Sequence, residues 1–183
     1  MNRFTLALLF ISISSYISEG QTNEKGRFPA GIVYGPKAAY QIHAPDNWIL
    51  DNQSGLSMGL PCVLYLKGYK WSDSPVIMYA QISDSAFEKI DIFIDSAIRV
   101  FKKEDPQFYF KELKNGLVDG KKYVIMNYQG GPYNSYERVL YIQMEKAIGF
   151  IVFSAQNKND FDNYADSIFE ILNTFQYKPE CIK

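Results

Sequence analysis

The chain has 183 residues, 47% hydrophobic and 21% charged, with a formal net charge of -1. That length supports one real core, and the balanced charge excludes a general nucleic-acid binder, which needs a basic face to neutralise phosphates. Aromatics reach 16%, with 14 Tyr and 13 Phe, as a sheet-rich core would require, because rings suit a pleated, half-buried surface.

Met1-Asn2-Arg3, the apolar run from Phe4 to Ile17, and the small residues Ser18 and Gly20 have the form of a secretory signal peptide over 1–20. The run is interrupted by Thr5, Ser12, Ser14 and Ser15, and a spanning helix needs ~20 apolar residues. Cleavage near Gly20-Gln21 is therefore expected, leaving no membrane span and a periplasmic or secreted protein; the alternative is an uncleaved anchor. Residues 21–28 read as a polar, disordered lead-in, and 29–183 as a single domain without repeats. In an oxidising compartment the two cysteines, Cys62 and Cys181, are candidates for a disulfide; the alternative is two unrelated thiols.

Within the domain, Pro29 to Lys37 reads as a Gly/Pro-rich approach. Ala39 to His43 alternates as a first strand, and Pro45-Asp46-Asn47 turns it towards Trp48-Ile49-Leu50. Asp51 to Gly59 is a loop by composition. Strands follow over Val63–Leu66 and Val76–Ile82, joined by a loop, Lys67 to Pro75, that carries Tyr69 and Trp71. Ile90, Phe93, Ile94, Ala97, Ile98 and Phe101 recur at helical spacing with Asp91, Asp95, Arg99 and Lys102 opposite, which predicts a one-sided helix. Ser85-Ala86-Phe87-Glu88 fits a capping box before it, and Pro106 ends it. Phe108-Tyr109-Phe110 restarts strand structure, and Asp119-Gly120 marks a hairpin. Tyr123 to Phe153 then reads as a meander, and Phe161, Tyr164, Ala165, Ile168 and Leu172 predict a second helix before a short closing strand. A one-striped helix must lie on an apolar face, so the expected class is a layered α+β domain with a mostly antiparallel sheet flanked by two main helices.

Several segments in this order resemble the PsbP-like proteins, a grouping named for an extrinsic lumenal photosystem subunit. They are Ala44-Pro45-Asp46-Asn47-Trp48, Ser54-Gly55-Leu56-Ser57-Met58-Gly59-Leu60, Tyr65-Leu66-Lys67-Gly68, Trp71-Ser72-Asp73-Ser74-Pro75-Val76-Ile77-Met78-Tyr79, and the closing helix with Phe175. The chain is most similar to exported bacterial members of unassigned function, and it departs from the pattern at Leu66, where Pro is expected. The resemblance implies an α/β/α sandwich. It does not bring photosystem binding or the Ran binding of a nuclear protein of that fold, because neither set of functional residues can be matched here, and fold alone does not fix function.

No catalytic motif stands out. His43, the single histidine, is the only possible base for a serine device, and no Gly-x-Ser-x-Gly elbow accompanies it. One histidine and two distant cysteines cannot supply a typical zinc site. Asn157 to Asp162 lacks the Gly and Glu of a calcium loop and reads as helix capping; neither a metal nor a cofactor is expected. Aromatics and Arg on loops are the usual anchors of binding surfaces, which singles out Tyr69, Trp71, Tyr133, Tyr136 and Arg138. The expected function is an exported, non-enzymatic binding or accessory protein acting through those aromatics on a protein or small ligand in the cell envelope. The alternative is a hydrolase whose carboxylates and His43 converge only in three dimensions.

Overall fold

The structure, a computed structural model, describes residues 27–28, 30–35, 37–83, 89–131 and 134–179. The expected signal peptide and the capping box over 85–88 therefore lie outside the described residues. Eight strands form one sheet: β1 (Arg27–Phe28), β4 (Trp48–Asp51), β5 (Cys62–Leu66), β6 (Val76–Ile82), β7 (Tyr109–Val118), β8 (Lys121–Gly130), β9 (Ser135–Gln143) and β10 (Ile148–Ala155). Their spatial order is β1-β4-β5-β6-β10-β9-β8-β7, with antiparallel neighbours throughout. Pairing thus begins at Arg27, inside the stretch 21–28 expected to be disordered, because Arg27 and Phe28 lie opposite Asp51 and Leu50.

A second, three-stranded sheet contains β2 (Ala30–Tyr34), β3 (Ala39–His43) and β11 (Gln176–Tyr177), in the order β11-β3-β2. The strand expected to open the main sheet, β3, belongs instead to this smaller one. Its Tyr40 is fully buried and donates its hydroxyl towards the carbonyls of Gln81 and Phe150, at 3.2 and 3.4 Å, which ties the small sheet to β6 and β10.

Because side chains alternate along a strand, the large sheet has two apolar faces. Leu64, Met78, Ile151, Leu140 and Ile125 face the small sheet and the C-terminal helices. Val63, Tyr79, Val152, Val139 and Met126 face α1 (Ile90–Glu104), whose Ile90, Phe93, Ile94 and Ala97 are buried as the stripe predicted. Gln143 of β9 anchors the start of α1, its Oε1 accepting from Ile90 N–H at 2.7 Å. Asp119 (φ 48°) and Gly120 (φ 69°) both adopt the left-handed conformation that the two-residue hairpin turn needs.

The expected second long helix is two short ones, α2 (Lys158–Tyr164) and α3 (Ser167–Thr174). Asn157 caps α2, its side chain accepting from Asp160 N–H at 2.9 Å. At the junction the backbone shifts to i→i+3 bonds, Ile168 N–H to Ala165 and Phe169 N–H to Asp166, while Ala165, Ile168 and Leu172 stay buried. The class is therefore α+β, with three helices and a second sheet sharing the cover of a mostly antiparallel one. Among the described residues no helix is long and apolar enough to cross a membrane.

Phe153 tests this arrangement. It is fully buried and edge-on to Trp48 and Phe161, at 6.2 and 6.0 Å between ring centroids. Phe153→Ala should lower the stability measured by urea unfolding by about 3–5 kcal/mol. A loss below ~1 kcal/mol would mean that α2 is not seated on this face.

Candidate functional site

An open concavity lies at the margin of the small sheet. β2 turns Gly31 and Val33 inwards and leaves Ala30, Ile32 and Tyr34 more exposed. A Cβ on Gly31 would come within 2.5 Å of Leu50 and 2.8 Å of the Asn52 side chain, so only glycine lets β2 settle this closely. Opposite β2 runs the loop from Asn52 to Pro61, which contains a single 3-10 turn, Leu56–Met58.

Asp51 shapes that loop. Its Oδ1 accepts from the N–H groups of Gln53 and Ser54 at 2.7 and 3.0 Å, and its Oδ2 from Ser54 Oγ and Tyr65 Oη at 2.7 and 3.0 Å. Burial alone would raise the Asp51 carboxyl, but those hydrogen bonds outweigh it and hold the group below its ordinary value. Asn52 Nδ2 donates to Pro61 C=O at 2.8 Å and closes the loop.

Between loop and strand runs an open groove of about 610 Å³, lined by Ala30, Ile32, Tyr34 and Gln41 on one side and Asn52, Leu56 and Pro61 on the other. It continues past Tyr34 and Leu56 into a depression of about 400 Å³ beside Gln81 and Ile82. Among the described residues no carboxylate, amine, imidazole or thiol lines either part. Composition hid this site, because Pro29 and Gly31 made 29–37 read as an approach. The available signal was the β-rich run Ile32-Val33-Tyr34.

The loop aromatics gather at the other end of β5. Val76 pairs with Ala155 and Ala155 with Tyr136, so the 67–75 loop and the start of β9 share one rim of the large sheet. Tyr69 is 46% exposed, while Trp71 packs against the α1-side core. Tyr136 is half-buried with its ring 6.1 Å from Phe161, on the opposite face. Arg138 is buried. Its guanidinium donates to Asn127 Oδ1 at 2.9 Å, pairs with Asp166, and lies over the rings of Phe161 and Phe169 at 5.3 and 5.6 Å. The structure therefore brings Tyr136 and Arg138 together, separates them from Trp71, and engages the charge of Arg138 within the chain. Tyr133 lies outside the described residues.

Cys181 also lies outside them. Cys62 is buried in β5 on the face towards the small sheet, where burial and the Asp51 charge push its thiol up to about 12. At neutral pH it stays protonated and a poor nucleophile. His43 ends β3; its ring Nε2 is 3.4 Å from Gln41 Nε2, and its backbone N–H donates to Thr174 Oγ1 at 3.1 Å. Among the described residues no group of three or more His, Cys, Asp and Glu side chains could hold a metal.

The residue that sequence reasoning missed is Glu137, buried on the α1 side of β9. Ser135 Oγ donates to its Oε1 at 3.1 Å. Across the strands it lies opposite Ser154 and Tyr128, whose hydroxyl shares a 3.1 Å hydrogen bond with that of Tyr141. Burial raises the Glu137 carboxyl to about 7, and the Ser135 bond offsets only part of the effect. The carboxyl thus titrates near neutral pH, inside the core rather than in the groove.

No protein-family model and no curated protein matches the chain. The solution structure of cyanobacterial PsbP, CyanoP from Synechocystis sp. PCC 6803, superposes with a TM-score of 0.53 at 14% identity, over 87% of this chain and 99% of that one. The crystal structure of LpqN, involved in cell envelope biogenesis of Mycobacterium tuberculosis, has a TM-score of 0.48 at 10% identity, over 82% of this chain and 91% of that one. The chain has the PsbP-like fold that its sequence resembles.

Glu137 generates a pH prediction. The folded state holds this proton more tightly than an unfolded glutamate does, so its contribution is complete below about pH 4.5 and is lost as pH rises through about 7. Urea unfolding across that window should show the wild type losing roughly 3 kcal/mol relative to Glu137→Gln. Parallel pH profiles for the two proteins would refute the buried, protonated carboxyl.

Proposed function

We propose that the chain is an exported, non-enzymatic binding protein that holds a partner in the groove between β2 and the 52–61 loop. The composition of the lining carries this reading: among the described residues it offers apolar and neutral polar groups, the Tyr34 hydroxyl included, which supply shape and hydrogen bonds without a carboxylate, imidazole, amine or thiol beside them. Export rests on the apolar run from Phe4 to Ile17 with its small-residue cleavage site, and the expected α/β/α layering belongs to the same reading of the fold. Tyr69, the exposed loop aromatic, lies at the far end of β5 and provides a second, smaller contact.

Affinity capture from the envelope of the exporting cell tests this, followed by direct binding to the purified partner. Tyr34→Ser and Leu56→Ser should each weaken that binding about tenfold or more, the scale of losing one buried apolar contact. Tyr69→Ala should weaken it less than threefold. Loss with Tyr69→Ala and retention with the groove variants would move the site to the loop aromatics. Turnover of a chromogenic ester or glycoside that His43→Ala abolishes would replace the binding reading with the hydrolase.

A further inference from the structure

We infer that the occupant of the groove is an extended, uncharged stretch of a partner polypeptide, which adds to β2 as a fourth strand of the small sheet. The inference rests on the binding reading above and names the chemistry of the partner.

The ladder of the small sheet sets the direction of each backbone group. Ala39 C=O accepts from Lys178 N–H at 3.0 Å, so Ala39 faces β11, and so do Gln41 and His43 by alternation. The bond from His43 N–H to Thr174 agrees. Tyr40 and Ile42 therefore face β2, where they pair with Val33 and Gly31, and Gly35 N–H to Ala38 C=O continues the series at 2.9 Å. This leaves the N–H and C=O groups of Ile32 and Tyr34 pointing away from β3, on the side where Ala30, Ile32 and Tyr34 line the groove. Among the described residues β2 has no strand on that side.

An extended peptide is the occupant that answers such an edge. Its own donors and acceptors repeat every two residues, or roughly 6.6 Å, the spacing from Ile32 to Tyr34 along a strand. A small apolar molecule would cover the same surface and leave those groups without partners, which is costly once water is excluded. Charge decides the rest of the description. Among the described residues the lining holds no charged side chain, so a charged segment would lose its hydration with nothing among them to compensate. Tyr34 and Leu56, 56% and 59% exposed, stand ready to contact alternate residues of the incoming strand.

The other edges of the molecule sharpen the contrast. β7, the long outer strand, carries Lys111, Glu112 and Lys114 and a register shift between Glu112 and Lys114, the devices that keep an edge from pairing. β1 and β11 have two residues each. β2 has five residues and neither charge, proline nor bulge.

The test uses the full chain and two probes: a pool of capped linear heptapeptides of uncharged residues, and a pair of apolar small molecules, indole and dodecyl maltoside. Peptides selected on the immobilised protein should slow the amide exchange of Ile32 and Tyr34 at least tenfold while leaving β7 unchanged. N-methylation of alternate peptide amides should weaken binding at least tenfold. Ile32→Pro, which deletes one outward N–H at an edge position that tolerates proline, should weaken binding at least tenfold beyond whatever Ile32→Ala loses by trimming the same groove-lining side chain; should Ile32→Pro fail to fold, the N-methylated peptides decide. Groove binding by the small molecules alone, or by peptides whose N-methylation costs nothing, would overturn the strand-addition inference and leave the binding reading standing. Absence of any binding in the groove, or peptide binding confined to β7 or Tyr69, would overturn both.

Discussion

A sheet whose central strands are apolar on both faces must be covered on both, and most of this architecture follows from that constraint. β5 shows it most plainly, since every residue from Cys62 to Leu66 is buried. Such strands cannot leave one face to water as the outer strand of a meander can. α1 covers one face, and α2, α3 and the small sheet together cover the other. The second cover is composite, and composite covers have margins. The small sheet ends at β2, the 52–61 loop begins beyond it, and the groove is the seam between them.

The same alternation explains how two oppositely charged groups sit side by side in the chain and never neutralise each other. Glu137 and Arg138 are consecutive in β9, so they point to opposite faces. Arg138 finds a carboxylate at Asp166, an amide oxygen at Asn127 and a phenyl ring from each of α2 and α3, and so joins the two short helices to the sheet. Glu137 meets hydroxyls rather than cations on its own side, and its carboxyl rises because burial has no positive partner to oppose it. One buried charge thus serves assembly, while the other makes the core sensitive to pH.

How far the chain could be read in advance follows the range of the forces involved. α1 was legible because its stripe, its polar back and Pro106 are all local; so were the Asp119-Gly120 hairpin and the meander after it. The break between α2 and α3 was not, since one apolar stripe runs through both and the i→i+3 bonds at Asp166 change the backbone without changing the pattern. β2 was hidden by Pro29 and Gly31, which signal a turn locally, whereas Gly31 in the folded chain lies against Leu50. Arg138 reads as a surface anchor because it stands close in sequence to the loop aromatics Tyr133 and Tyr136. Its partners Asp166, Phe161 and Phe169 come from the far side of β10 in sequence, and nothing near Arg138 announces them. Glu137 escaped notice for the same reason: a lone acid in an alternating strand looks solvated until the layer above it is known.

The tyrosines divide between buried braces of the core and exposed rings. Buried tyrosines need partners for their hydroxyls: Tyr40 bonds the Gln81 carbonyl, Tyr65 bonds Asp51, and Tyr128 and Tyr141 bond each other. Those rings fill the core and brace it, which accounts for much of the aromatic excess without a ligand. Among the described residues the exposed tyrosines are Tyr34, Tyr69 and Tyr109. Tyr109 stands on β7, whose charges and register shift resist pairing, and Tyr69 stands on a loop whose neighbour Trp71 is committed to the core. Tyr34 alone among these three lies beside a strand edge with open hydrogen-bonding groups and a neutral, concave wall opposite. Exposure of a large ring is common and means little by itself; exposure next to an unfinished ladder is a condition that a second polypeptide can complete.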